Sequence, residues 1–548
     1  MPQMTGSQAL ARSLVREGVE VLFALPGAQI MGIFDALYEH SDIRMITVRH
    51  EQTTTFMADG YARVSGNPGV ALVVPGPGVQ NASAGLTTAY SASSPVLLLA
   101  GQIDSAMIGK DKGALHEIND QLDLVRPVTK WCRRVLSARE IPAVIYEAFK
   151  QMRTGRPRPT EVEIPPDVLA SIAEVELLAP EDHPSPAIDH ELVRRAVDLL
   201  LAARKPLIWA GGGVVLADAG KELTSLAEKL GSPVATTAEG KGAITETHPL
   251  ALGASYHGIG GPAGAAPKAD VLLAVGTRFS RQMAGATRPQ PSQRLIHVDV
   301  DPGVIDKNFP AEIAIVADAK IALNKLLEES ARRNAPAPRW TAAELEQIRA
   351  DARRELENLA PLQCDIIAQI EKALDDDAVI VSGVTNIGYW SHFAYRVNGP
   401  RTYLTASYAA TLGFAFPTAL GAKMAAPDRT VVSLSGDGGF MYALPELATA
   451  VQYGINVIAL VFVDNAFGAL LSDQRTRYRG RVIGTELRNP SFAQAAEIFG
   501  AKGIRAEPER LRTALEEAQE SRRPTVIEVP MPTLTPPFQL HGRSEKGS

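Results

Sequence analysis

Cysteine is nearly missing: Cys132 and Cys364 are the only two in 548 residues. Two distant thiols exclude a disulfide framework and a cysteine-rich zinc site, and they suit a reducing compartment. No apolar run is long enough to span a bilayer, and the N-terminal MPQMTGSQALARSLVREGVE lacks the continuous apolar core of a signal peptide. A large excess of one charge is missing as well. With 55 Lys and Arg against 61 Asp and Glu, the net charge of −6 offers no basic field to nucleic acid or to an anionic membrane. These absences together lead us to expect a soluble, cytoplasmic protein that binds neither nucleic acid nor membrane.

What the chain does contain is a repeated grammar. It is 45% hydrophobic and 21% charged, and its length suits three or four globular domains. Short apolar runs end in Gly-rich turns and are followed by helical patterns, in three blocks. The first block has VLFALPGA (21–28), IRMITVRHE (43–51), GVALVVPGPG (69–78) and PVLLLAGQ (95–102). The second has PLIWAGGG (206–213), SPVATT (232–237), VLLAVGT (271–277) and RLIHVDVDP (294–302). The third has AVIVSG (378–383), TVVSLSGDGG (430–439), NVIALVFVDN (456–465) and PTVIEVP (524–530). Runs of this length with β-branched residues and flanking glycines read as buried strands, and strand–helix alternation implies parallel sheets. The expected fold is therefore α/β, with three open, mostly parallel-sheet domains over 1–170, 190–330 and 360–531. Between them lie an acidic, Pro-containing linker (171–189) and a second linker (331–340), the latter followed by a charged helical stretch (341–359). The tail 532–548 reads as irregular.

Ligands of open parallel sheets bind at the carboxyl ends of the strands, so the chemistry should follow the apolar runs. SGDGGF (435–440) places Asp437 after a strand and before a helical pattern with Leu444, Leu447, Ala448 and Val451 on one face. Gly438 and Gly439 lack Cβ atoms, leaving room for a ligand at the backbone. A helix N-terminus suits a phosphate, and an aspartate beside it calls for a bridging cation. Asn465, in VFVDNAFG, ends the next strand, 29 positions beyond Gly436. A carboxylate, an amide oxygen and main-chain carbonyls are hard ligands that suit Mg²⁺ over Zn²⁺. Taken alone, GDG is more often a plain turn, and its pairing with Asn465 is what favours a metal clamp.

GDGG followed by DNAFG resembles the thiamine-diphosphate motif, and the chain from TGSQALARSLVREGVEVLFALPGA to PTVIEVP resembles the acetolactate synthase/pyruvate oxidase group of thiamine-diphosphate enzymes. The resemblance implies Mg²⁺ on Asp437, Asn465 and the Phe467 carbonyl, with the diphosphate over Gly438, Gly439 and the turn SGVTNIGYW, where Asn386 is a candidate donor. It implies that Glu51, in TVRHEQTTTFMADGYAR, bonds the cofactor's aminopyrimidine and promotes removal of the C2 proton. By itself an acid in a first helical turn is more often a surface residue that complements the helix dipole. In YAATLGFAFPTALGA, Leu412 matches the apolar residue that keeps the two cofactor rings bent; its plain alternative is a core leucine. Asn81, in PGPGVQNA, stands equally for a cofactor-facing residue or a helix cap. The family builds its site from the first domain of one subunit and the third of another. A homodimer is then the minimal active unit and a homotetramer the common assembly.

Substrate-facing positions depart from the acetolactate synthase pattern. ALHEINDQLD (114–123) puts His116 where relatives carry glutamine; a histidine there could move a proton, or it could face solvent. Ser472, Asp473 and Gln474 replace a Gln-Trp-Glu, and Arg278-Phe279-Ser280-Arg281-Gln282 replaces an Arg-Phe-Asp-Asp-Arg. The middle block resembles an FAD-carrying domain through Arg156, Gly211-Gly212-Gly213, Thr277-Arg278, Asp299 and Asp318, but GGGVVLADAG lacks the full GxGxxG spacing. FAD and a flavin-free middle domain stay equally open. The expected activity is decarboxylation of a 2-oxoacid with ligation to a second carbonyl compound, such as another 2-oxoacid or an aldehyde. The alternatives are a non-ligating decarboxylase or aldehyde lyase, and an FAD-dependent oxidase.

Overall fold

The computed structural model describes residues 2–183, 185–280, 289–333 and 339–540. Its three six-stranded sheets are parallel throughout. In the first sheet the spatial order is Arg44–Thr47, Val21–Ala24, Gly69–Val73, Val96–Gly101, Thr160–Ile164 and Trp131–Arg134. In the third it is Tyr403–Thr405, Val379–Ser382, Val431–Gly436, Ile458–Val463, Thr525–Pro530 and Lys502–Arg505. Numbered in chain order within each sheet, both read 2-1-3-4-6-5.

The middle sheet differs. Its order, Ala251–Ala254, Val234–Thr236, Pro206–Ala210, Val271–Val275, Arg294–Asp299, Ile313–Val316, reads 3-2-1-4-5-6, the doubly wound arrangement of dinucleotide-binding folds. In every sheet the order reverses beside the domain's first strand. The crevices that form there lie at Leu25–Gly27 and Val74–Gly76, at Gly211 and Gly276, and at Gly383 and Gly436.

The first and third domains share one apolar core. Phe56 and Met57 of the helix Glu51–Ser65 pack with Phe414, Phe416 and Leu420 at and near the helix Ala415–Ala425. The Phe56 and Phe414 rings meet edge-on at 6.0 Å. Glycine allows these helices to touch: a Cβ on Gly60 would lie 2.0 Å from the Thr418 carbonyl oxygen, and one on Gly421 1.9 Å from that of Met57. At the far end of the first helix, Arg63 reaches Glu239 of the middle domain at 2.9 Å and the Thr405 carbonyl of the third at 2.7 Å.

Three regions differ from what the sequence suggests. The stretch read as the first linker carries a strand, Ile172–Glu174, paired antiparallel with Gln3–Thr5, so the chain's start is tied to the end of its first domain. The expected helix after SGDGGF is broken into one turn, Asp437–Phe440, a 3₁₀ turn Leu444–Glu446 and the helix Leu447–Tyr453. Pro445 enters within the first residues of the 3₁₀ turn, where its missing N–H costs nothing. The tail is not irregular throughout, since Pro537–Leu540 forms a helical turn. Residues 541–548, the linker residues 334–338, and Arg281 and Gln282 of the middle-domain segment lie outside the described residues. No helix among the described residues is long and apolar enough to cross a membrane.

Candidate active site

The strand Val431–Gly436 is buried along nearly its whole length and delivers Asp437 to the carboxyl edge of the third sheet at its switch point. Asp437 opens a one-turn helix and is 1% exposed. One carboxylate oxygen accepts from the Gly438 N–H at 2.8 Å, the other from the Asn489 side-chain amide at 2.8 Å. Burial pushes its carboxyl up to about 6, and the nearby Asp464 adds to the rise while the Gly438 and Asn465 main-chain N–H groups hold it down. Asp464 is itself raised by burial. Two carboxyl groups crowded into one low-dielectric site leave negative charge uncompensated, an environment a divalent cation would relieve.

Asn465 follows the strand Ile458–Val463 in the left-handed region, with φ of 53°. Its main-chain N–H supports Asp437 and its carbonyl accepts from Leu487 N–H at 2.7 Å. The Phe467 carbonyl starts the helix Gly468–Arg477 and accepts from the N–H groups of Leu470 and Leu471, both at 2.9 Å. The two glycines of the turn differ in role. A Cβ on Gly438 would lie 2.7 Å from the Phe467 ring, so the expected room for a ligand is filled there by the chain's own side chain. Among the described residues nothing would come closer than 4.0 Å to a Cβ on Gly439, and one of the atoms at that distance belongs to Leu412.

Asp437, Gly438, Gly439, Phe467, Asn386 and Leu412 all line one cavity of about 1280 Å³. Asn386 opens the helix Asn386–Ala394 and donates from its amide to the Leu534 carbonyl at 3.0 Å, while its amide oxygen accepts from Gln363 at 3.2 Å. The C-terminal segment also contributes to the wall, through Leu534, Phe538 and Gln539 among others. The Gln539 amide donates to the Ala469 carbonyl at 2.8 Å, and its oxygen accepts from the Ser472 hydroxyl at 2.6 Å. Asp473 also lines the cavity and pairs with Arg477 at 3.1 Å.

All of this lining comes from residues 384–540. Glu51 opens its helix in the first domain, preceded by His50, whose Nδ1 accepts from the Gln52 N–H. The Glu51 carboxylate accepts from the Asn81 amide at 2.9 Å. Asn81 is within the helix Pro77–Ala92 and is not its cap. His116 has φ of 70°, its carbonyl lies against Gly76, and its Nδ1 is buried with no hydrogen-bond partner among the described residues. The structure thus brings Glu51 to Asn81, and Asp437 to Gly439 and Leu412, but within one chain none of Glu51, Asn81 and His116 reaches the Asp437 cavity. Asn489 went unnoticed in the sequence because it sits 52 residues beyond Asp437 in a loop with no pattern of its own.

A second cavity, of about 280 Å³, occupies the switch point of the middle sheet. Gly212, Gly213, Gly276, Thr277, Asp299 and Asp318 line it, and Ser91–Ser93 and Tyr408 close it from the other two domains. Arg156 is also in its wall, and burial followed by the charge of Arg278 lowers this guanidinium to about 10.

Comparison with known proteins matches three family models: the thiamine pyrophosphate enzyme N-terminal TPP binding domain over residues 4–124, its central domain over 193–326 and its C-terminal TPP binding domain over 383–529. The chain is 36% identical to a probable acetolactate synthase large subunit of Methanocaldococcus jannaschii, covering 96% of this chain and 92% of that one. It is 36% identical to a probable 2-ketoarginine decarboxylase of Pseudomonas aeruginosa, covering 91% and 88%. It is 34% identical to the acetolactate synthase isozyme 3 large subunit of Escherichia coli, covering 95% and 93%.

Proposed function

The chain belongs to the thiamine pyrophosphate enzyme family, and from that premise we propose that it removes CO₂ from a 2-oxoacid and joins the remainder to a second carbonyl compound, in the manner of an acetolactate synthase. The observation that carries this reading is Asp437, a buried carboxylate at a sheet switch point, on the wall of a cavity large enough for a diphosphate cofactor. Asp437, Asn465 and the Phe467 carbonyl would hold Mg²⁺, which fits an all-oxygen donor set beside an uncompensated carboxylate. Gly439, whose Cβ space is open, would admit the diphosphate. The chemistry supplied by the bound cofactor is an electron sink for the pair left when a 2-oxoacid loses CO₂.

The chain's own residues would do the rest. Glu51 would hold and return a proton at the aminopyrimidine, with its carboxylate kept in one orientation by the Asn81 amide. Leu412 would support the bent form of the cofactor from beside Gly439. His116, with a buried ring nitrogen that meets no partner among the described residues, would hydrogen-bond the reacting carbonyl. Since the Asp437 cavity is lined by third-domain residues and the C-terminal segment, Glu51 and His116 would come to it from a second copy of the chain. A homodimer is then the smallest active unit, assembled further into a homotetramer.

A second reading, decarboxylation without ligation, is favoured by Asp473. It lines the cavity where the family resemblance places an acceptor-shaping tryptophan. The middle-domain cavity, with its dinucleotide strand order, is where FAD would sit. A yellow purified protein would support an oxidase, and a colourless one would exclude it. Product analysis by NMR over a panel of 2-oxoacids and aldehydes, with Mg²⁺ and thiamine diphosphate, tests the main reading: new C–C bonded hydroxyketones support it, and free aldehyde as sole product replaces it with simple decarboxylation. Glu51→Gln should abolish C2 deuterium exchange on bound thiamine diphosphate while leaving binding largely intact; unchanged exchange would overturn the role given to Glu51.

A further inference from the structure

Glu446 ends the 3₁₀ turn Leu444–Glu446, between the Asp437 turn and the helix Leu447–Tyr453. It lies outside the cavity, and its carboxyl group is buried, at 1% exposure. One oxygen accepts from the main-chain N–H groups of Arg49 and His50, each at 3.0 Å. The other accepts from the Arg49 N–H at 3.2 Å and from the Thr449 hydroxyl at 2.5 Å. No other acceptor meets the Arg49 and His50 N–H groups among the described residues. These two residues form the turn that immediately precedes Glu51.

Neighbouring third-domain groups grip the same turn. The Tyr453 hydroxyl accepts from the Thr47 N–H at 3.0 Å, and the Tyr442 carbonyl accepts from the Gln52 side-chain amide at 2.9 Å. The first-domain segment from Thr47 to Gln52 is thus held by the stretch 442–453 of the third. A buried carboxylate is tolerated only when its lone pairs are occupied, and main-chain donors to a charged acceptor make short, directional bonds. Take the carboxylate away, and the Arg49 and His50 N–H groups lose the one acceptor that meets them among the described residues, so the turn loses its most direct restraint.

We propose that Glu446 is a positioning residue for Glu51: by fixing the Arg49–His50 turn, it sets the direction in which the first residue of the helix Glu51–Ser65 projects its carboxyl group. The inference rests on the function proposed for Glu51 and adds to it a residue 395 positions further along the chain that touches neither substrate nor cofactor. It also explains why this acid stands nine residues after Asp437. The same short stretch that carries the proposed metal ligand reaches back to the first domain.

Glu446→Ala and Glu446→Gln in the full-length protein test it, with Glu51→Gln in parallel. In the cofactor-free protein, amide hydrogen exchange read by mass spectrometry should show Arg49 and His50 losing protection in Glu446→Ala, with the sheet peptides unchanged. In the loaded protein, C2 deuterium exchange on thiamine diphosphate should slow on the order of 100-fold, the scale of a misplaced catalytic group. Affinity for Mg²⁺ and thiamine diphosphate should stay within about threefold. Glu446→Gln, which keeps one acceptor oxygen, should lie between parent and alanine variant and decides alone if the alanine variant does not fold. C2 exchange within about twofold of the parent in both variants, with the normal loss in Glu51→Gln, overturns the positioning role alone. Unchanged exchange in Glu51→Gln overturns the functional reading and this proposal with it.

Discussion

A carboxylate buried between glycines has few reasons to persist without a cation. Asp437 is raised to about 6 by burial, with Asp464 close by, so in the cofactor-free protein it costs stability and offers charge to a ligand. Asp437→Ala should therefore lower affinity for thiamine diphosphate with Mg²⁺ by at least about 100-fold in calorimetric titration, while the cofactor-free protein melts no lower than the parent. A fall in the cofactor-free midpoint would show that the Asn489 and Gly438 contacts, not a metal, justify the residue. At Gly438, by contrast, a plausible inference from the sequence met a packing fact. Two adjacent glycines look alike on paper, but only the tertiary structure puts the Phe467 ring against one and leaves the other open.

His392 carries a prediction of another kind. It is buried on the helix Asn386–Ala394 and stacks on Tyr256 of the middle domain at 5.4 Å. Burial, with the charge of Lys241, pushes it from the ordinary 6.5 down to about 3. The unfolded chain therefore takes up a proton at this residue over a range where the folded chain does not. Its contribution is complete above about 6.5 and is lost as pH falls toward about 3. Between about pH 7.5 and about pH 5 this residue should remove on the order of 2 kcal/mol. His392→Phe should narrow the gap between melting midpoints at those two pH values; an unchanged gap would mean the imidazole is not held neutral.

Among elements, the pair Glu51–Ser65 and Ala415–Ala425 joins two domains through a contact that has no room for a methyl group. Gly60→Ala would place a Cβ 2.0 Å from the Thr418 carbonyl oxygen, and backbone cannot yield as a side-chain tip can. The substitution should destabilise by roughly 1–3 kcal/mol in urea unfolding, as other overpacked cores do, and Gly421→Ala should do the same. The strands divide in an instructive way. The apolar runs read from the sequence correspond to observed strands in all three sheets. Of the six strands of these three sheets not read from the sequence, Trp131–Arg134, Ala251–Ala254, Ile313–Val316, Tyr403–Thr405 and Lys502–Arg505 are sheet edges. An edge strand pairs on one side only and can be short or charged, so its pattern is weak. The sixth, Thr160–Ile164, is central, yet it buries Glu161 and Glu163 and so does not look like a core strand; Arg134 on the neighbouring strand pairs with Glu163.

For the whole molecule, the decisive fact is that the Asp437 cavity and Glu51 lie apart within one chain. If each site takes Glu51 from one copy and Asp437 from another, a mixture of the two inactive variants Glu51→Gln and Asp437→Ala regains activity. Random pairing makes half the dimers mixed, and each mixed dimer has one intact site of two, so about a quarter of parent activity should return on co-expression. No recovery would place both groups in the same chain's site. Dilution that separates the copies should abolish activity in step with loss of the dimer in sedimentation velocity.

The sequence by itself determined the α/β layering, because strand periodicity is a local feature, and it singled out Asp437 and Asn465 as candidates because a turn such as GDGG followed by DN is local as well. It also carries the resemblance on which the role proposed for Glu51 rests. Tertiary structure alone decided what depends on distance: that Asn81 meets Glu51 and not a helix end, that Asn489 completes the surroundings of Asp437, that the tail turns back over the cavity, and that Glu446 holds the Arg49–His50 turn. Each of these is a contact between residues separated by tens to hundreds of positions. Their geometry is set by how helices and sheets pack, which no stretch of sequence near either partner records.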